Sequence, residues 1–174
     1  GLGHLVQAQY GVTADHVALL PSGSDVSLFY QREKNRCVQE TGLDQACEYI
    51  GFVGSFYQYQ GLATLLEAFE RLHARRSSVR LLMVGDGEEA TALREQAAQR
   101  GLSPWITWTG RVPYAHVPLL IGAMDVCVAP FRGDRGETSP VKIFDYLACG
   151  KPVVASAIPS VTALFSQSNG VVLV

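Results

Sequence analysis

The 174-residue chain has no apolar run long enough to cross a bilayer. Its apolar stretches, such as KPVVASAIPSV at 151–161, are short and broken by Pro or polar residues, so neither a membrane span nor a signal peptide is expected. It also lacks a block of basic residues and any interleaving of aromatic with basic ones. With 14 Lys and Arg against 16 Asp and Glu, the formal charge is -2, which argues against nucleic acid as a partner. Cys37, Cys47, Cys127 and Cys149 show no Cys-x-x-Cys spacing, and a chain of this size can build a core without disulfides. They read as reduced thiols of a cytoplasmic protein. His4, His16, His73 and His116 are scattered, with no paired spacing that would build a metal site. No repeat, low-complexity segment or linker divides the sequence.

What the chain does have is a regular alternation. The apolar runs HVALL (16–20), YIGFVG (49–54), VRLLMVG (79–85), WITWTG (105–110), DVCVAP (125–130), PVVAS (152–156) and GVVLV (170–174) read as strands, several of them ended by Gly or Pro. Between them, LATLLEAFERLHARR places Leu62, Leu65, Leu66, Phe69 and Leu72 at helical spacing. EEATALREQAAQRG (88–101) is a more polar helix closed by Gly101, and Pro113 opens a short helix through Leu120. SPVKIFDYLACG (139–150) is a helix with Ser139 as cap and Pro140 in its first turn. Continuously apolar strands alternating with helices predict an α/β chain: a Rossmann-like, doubly wound parallel sheet with helices on both faces. Ligands of such sheets sit beyond the carboxyl ends of the strands, where the loops at 54–61, 85–88, 110–113 and 130–139 should gather. The whole chain, 1–174, is read as a single domain. Because GLGHLVQAQYGV reads as the tail of a helix and the last residues as a core strand, it is expected to be one domain of a longer protein.

Two stretches carry candidate chemistry. MVGDGEEA fits the dinucleotide fingerprint Gly-x-Gly-x-x-Gly/Ala after a strand, through Gly85, Gly87 and Ala90. Asp86, Glu88 and Glu89 crowd the place where a pyrophosphate would need free amides, and WITWTG ends without the acidic residue a ribose requires. A tight turn forming one wall of a cleft is the better reading. In GDRGETSPVKIFDYLACG, by contrast, a Gly-rich loop meets a helix start, so unpaired amides could hold a diphosphate without a metal. Glu137 precedes that cluster and could accept hydrogen bonds from hydroxyls on a group attached to the phosphate. Asp145, about one and a half turns into the helix, could accept from a second polyol. The spacing fits a sugar, a diphosphate and a ribose in that order. The plainer alternative keeps Glu137 as a solvated loop residue and pairs Asp145 with Lys142.

The stretches LLPSGSDVSLF (19–29), FVGSFYQYQGLATLLEAF (52–69), VRLLMVGDGEE (79–89), ITWTGRVPYAHVPLLIGAMDVCVAP (106–130) and SPVKIFDYLACGKPVVAS (139–156) occur in that order along most of the chain. Together they resemble the carboxyl-terminal, donor-binding domain of family 4, or group 1, glycosyltransferases, two-domain retaining enzymes of the GT-B fold. The family carries two acidic residues with seven between them. Glu137 and Asp145 match that spacing, with Asp in place of the usual second Glu. The resemblance implies that Glu137 is the catalytic position orienting the donor sugar and that Asp145 holds the ribose. It implies further that amides at Thr138, Ser139 and Val141 receive the diphosphate, that Arg111 and Val112 lie near the base, and that Gly54 and Ser55 approach the phosphates.

One departure stands out. The family often has Arg after the glycine matching Gly54 and Lys before the glycine matching Gly61, whereas this chain has Ser55 and Gln60. Lys142, Arg132 or Arg135 are candidates to replace those cations. The implied activity is hexosyl transfer from a nucleotide-diphosphate sugar to an acceptor hydroxyl, with no cofactor beyond that substrate. The implied partners are the nucleotide sugar and an amino-terminal acceptor-binding domain, without which this domain is expected to be inactive. Phe56, Tyr57 and Tyr59 form a patch suited to a partner domain, to a lipid-linked acceptor or simply to covering the cleft, and a peripheral place on the inner face of a membrane is compatible with the cytoplasmic reading. A sugar-nucleotide epimerase and a noncatalytic nucleotide-sugar-binding domain are the alternative readings.

Overall fold

The computed structural model describes residues 2–18, 20, 22–133 and 140–174, with the side chains of Leu2 and His4 left aside. Its first helices are α1 (Leu2–Tyr10) and α2 (Lys34–Thr41). The sheet region then runs β1 (Glu48–Val53), α3 (Leu62–His73), β2 (Val79–Val84), α4 (Ala90–Gln99), β3 (Ile106–Gly110), α5 (Val117–Ala123) and β4 (Val126–Ala129). It continues with α6 (Val141–Ala148), β5 (Val153–Ala155), α7 (Pro159–Phe165) and β6 (Val171–Leu173). Among the described residues the strands form one sheet in the order β3-β2-β1-β4-β5-β6, with every neighbouring pair parallel.

Alternation along the strands divides the core in two. Phe52 of β1 and Val79, Leu81 and Met83 of β2 face Leu62, Leu66 and Phe69 of α3 and Leu93 of α4. Tyr49, Leu82, Val84, Cys127 and Val153 face the other way, toward Ile121 of α5, Ile143 and Tyr146 of α6, and Val161 and Phe165 of α7. Both sheet faces are therefore covered, which is why the strands read as unbroken apolar runs. Helix α2 lies outside this layer and packs Cys37 and Val38 against Ala123 of α5.

Among the described residues of the run 16–20 none lies in a strand. Residues 14–16 form a short 3-10 turn, with a 2.8 Å side-chain hydrogen bond between Thr13 Oγ1 and His16 Nδ1 on its surface, and Leu20 is 92 % exposed. The run has too few residues left after the turn to pair, and its leucine finds no core to enter.

Strand β1 is the switch point of the sheet, because its neighbours β2 and β4 are reached by crossovers in opposite directions. It pairs with β2 along its whole length but with β4 only through Ile50 and Gly51. Past that point the two strands part. The Val53 N–H, which has no partner on β4, instead donates to the Tyr146 hydroxyl at 2.8 Å. A buried phenol from α6 thus closes the sheet where β1 and β4 part, at its carboxyl edge.

Candidate functional site

Backbone hydrogen bonds hold the loops at that edge together. The Gly54 N–H donates to the Val84 carbonyl at 3.0 Å and Gly85 N–H to Gly110 at 3.1 Å. The Phe56 N–H donates to Asp86 at 3.0 Å, and Glu89 N–H returns to the Phe56 carbonyl at 3.0 Å. Arg132 N–H reaches the Tyr59 carbonyl at 2.9 Å and joins the loop after β4 to the one after β1. The result is a cleft of about 480 Å³ whose walls include Gly54, Ser55, Gly85, Asp86, Arg111 and Val112.

This packing explains the glycine-rich turn after β2. A Cβ on Gly87 would lie 2.6 Å from both the N and O atoms of Phe56, and the Gly87 amide is taken by the Asp86 carboxylate at 2.9 Å. The turn is built to admit a neighbouring loop, with Gly85 and Asp86 forming one wall of the cleft. Phe56 itself departs from the expected surface patch. It is fully buried, its ring 6.0 Å from Phe52 and 6.1 Å from Trp108, because the close approach at Gly87 turns its side chain inward. Tyr57 and Tyr59 remain as a stacked pair with centroids 5.9 Å apart.

Helix α6 brings two polar side chains to the same edge. Asp145 accepts a 2.7 Å hydrogen bond from Ser24 Oγ, across 121 positions of sequence. Burial raises the Asp145 pKa, and the Ser24 hydroxyl opposes that rise by solvating the carboxylate. Its charge is felt by Tyr114 at the cleft wall, whose phenol is pushed up chiefly by burial and further by Asp145 and Asp25.

Lys142 lies one turn before Tyr146 on the same helix face and does not turn toward Asp145. Its ammonium donates to Gln60 Oε1 at 2.6 Å and sits 3.8 Å from the centroid of Phe52 and 5.3 Å from that of Phe131. Gln60 is only 6 % exposed. Gly54, at φ 146°, lies so close that a Cβ there would come 2.9 Å from Lys142 Nζ. The residue as a whole keeps some solvent contact, yet burial of the ammonium drives its pKa well below that of an ordinary lysine.

Of the residues singled out in the sequence, Gly54, Ser55, Arg111 and Val112 share the cleft. Gln60 and Lys142 form a pair at its edge, Asp145 stands beside it, and Val141 opens α6 with 42 % of its surface exposed. Glu137, Thr138, Ser139 and Arg135 lie outside the described residues. Sequence reasoning missed Ser24, Tyr146, Phe52 and Phe131. Ser24 had a signal, a small hydroxyl between Gly23 and Asp25 in one of the recognised stretches, whereas the other three read only as core. The four cysteines are buried and unpaired, and burial raises the Cys149 thiol to about 11. Among the described residues no three His, Cys, Asp or Glu side chains converge as metal ligands, and no helix is long and apolar enough to cross a membrane.

The doubly wound parallel sheet with a loop-lined cleft at its carboxyl edge matches one Rossmann-like half of a GT-B protein. The family model described as "Glycosyl transferases group 1" matches residues 47–174, and the chain belongs to that family. It is 27 % identical over 176 residues to D-inositol 3-phosphate glycosyltransferase of Segniliparus rotundus, covering 98 % of this chain and 38 % of that protein. Among solved structures, Anabaena HepE in complex with UDP and glucose superposes with TM-score 0.78 at 21 % identity, over 96 % of this chain and 45 % of HepE. The C-terminal domain of the group 1 glycosyl transferase LpcC of Francisella tularensis superposes with TM-score 0.75 at 18 % identity, over 87 % of this chain and 80 % of that one. The chain thus spans about two fifths of the curated relatives it matches first, at 38 %, 34 % and 42 % of their lengths.

Proposed function

We propose that this chain is the donor half of a glycosyltransferase, binding a nucleotide-diphosphate sugar for retaining, metal-independent transfer to an acceptor hydroxyl. The observation that carries the reading is the cleft at the carboxyl ends of β1, β2 and β3, flanked by an amine-bearing helix start against Gly54 and by a carboxylate poised by a serine. HepE, with the same fold, holds UDP and glucose, which favours a nucleotide sugar as the ligand. In this reading Arg111 and Val112 flank the base, Asp145 accepts from the ribose, and the amides of Thr138, Ser139 and Val141 receive the diphosphate. Ser55 borders the phosphates, and Glu137 orients the sugar at its reacting carbon.

Charge on the departing diphosphate is met by helix-end amides and nearby cations, which act at the point where charge develops and need no metal. The acceptor comes from an amino-terminal domain, since this chain corresponds to less than half of its relatives. That domain supplies proximity, and this one alone turns over no donor. The protein works in the cytoplasm, with Tyr57 and Tyr59 facing the partner domain or a lipid-linked acceptor at the membrane's inner face. Glu137→Ala in the complete protein should abolish most transfer while leaving nucleotide binding intact, as read by product formation and calorimetry. Near-normal turnover would remove Glu137 from the reaction.

A further inference from the structure

A buried ammonium is costly unless an anion or several acceptors surround it. Lys142 has one neutral acceptor, the Gln60 amide oxygen, and two ring faces. Among the described residues no carboxylate pairs with it. Some other half-buried charges among the described residues are matched more completely. Asp125, for example, pairs with Lys34 at 2.7 Å and accepts from the Tyr49 amide at 2.8 Å. Half-buried Lys151 also has a neutral acceptor, the Gly122 carbonyl at 2.8 Å, but of the two only Lys142 places its ammonium against a residue of the cleft.

The surroundings of Lys142 hold it at one point. Tyr146, fully buried and bonded to the Val53 amide, fixes α6 against the end of β1. Gln60 and the Phe52 ring then leave the ammonium against Gly54, a residue that also lines the cleft. Gly54 carries no side chain to block that approach, and any Cβ there would crowd the ammonium. The cation is thus preorganised at the edge of a cleft, with no counter-charge among the described residues.

The geometry points to Lys142 as the group that receives the diphosphate of the bound nucleotide beside Gly54, with Gln60 as the residue that positions it. This rests on the donor-site reading above and names which cation serves where Ser55 and Gln60 stand. The bound diphosphate supplies an anion to this cage of one amide and two rings, so that the binding energy is localised on the phosphates and not on the nucleoside.

Calorimetric titrations with UDP, GDP, ADP and dTDP, each beside its parent nucleoside, test the assignment in wild type, Lys142→Met and Gln60→Glu. Lys142→Met should weaken the bound nucleoside diphosphate at least tenfold, leave the nucleoside unchanged and not lower the thermal midpoint. Gln60→Glu gives Lys142 an internal carboxylate, and should raise the midpoint while also weakening the diphosphate. If wild type binds a nucleoside diphosphate and both variants bind it equally well, the Lys142 assignment is overturned and the donor site stands. Equal losses for diphosphate and nucleoside would also overturn it, since Lys142 would then act through the fold. If wild type binds none of the four, the donor-site reading itself fails and this inference with it.

Discussion

At the scale of single residues, Tyr146 carries the most structure. Its hydroxyl accepts from the Val53 amide at the point where β1 and β4 part. Tyr146→Phe leaves that amide without a partner and should cost about 1–3 kcal/mol in denaturant unfolding. Asp145 and Lys142 give stability opposite pH dependences. The Asp145 pKa is raised above its ordinary 3.8, so the folded state binds the extra proton. Its contribution is fully present below that value and is lost as pH rises through the folded pKa. Asp145→Asn should therefore raise the thermal midpoint at neutral pH relative to wild type while weakening nucleotide binding. The Lys142 pKa is lowered from 10.5, so between the folded value and 10.5 the unfolded chain binds more protons and stability rises with pH. Lys142→Met should flatten that part of a stability-against-pH curve, and an unchanged slope would mean the ammonium is solvated. The sequence announced Asp145 and Lys142 as neighbours on a helix, but a spacing of three said nothing about direction. Lys142 turns to Gln60 and Asp145 to Ser24, partners whose separations of 82 and 121 positions no local pattern encodes.

At the scale of elements, the close fit between the loops after β1 and β2 decides the shape of the cleft. Gly87→Ala would drive a methyl into the Phe56 backbone and should destabilise the chain by about 1–3 kcal/mol. A wild-type midpoint in that variant would show that the loops are not so tightly joined. The parallel strands and α3 were legible because burial on both faces, or on one face, leaves a periodic trace in the sequence. Helix α2 was not, since KNRCVQET buries only Cys37 and Val38 and is otherwise polar. Helix α7 begins at Pro159 and buries only Val161 and Phe165 over its seven residues, too short a stripe to stand out. The run at 16–20 misled for the converse reason. A short apolar stretch has strand composition, but nothing local tells whether a neighbour strand exists.

At the scale of the whole molecule, strand order turns scattered residues into a site. Gly54, Asp86, Arg111 and Lys142 come from four separate connections, and only the sheet order β3-β2-β1-β4 brings their loops to one edge. The motifs revealed which residues to watch, and the switch point explains why they meet. In the proposed function this edge grips a nucleotide by its ribose and phosphates. That grip is tested most directly by titrating the chain with UDP, GDP, ADP and dTDP, without metal, beside Asp145→Ala. Saturable binding of one nucleotide in preference to the others, lost in a variant that remains folded, is the predicted result. Binding of none of the four by folded protein, or undiminished binding by Asp145→Ala, would contradict the account.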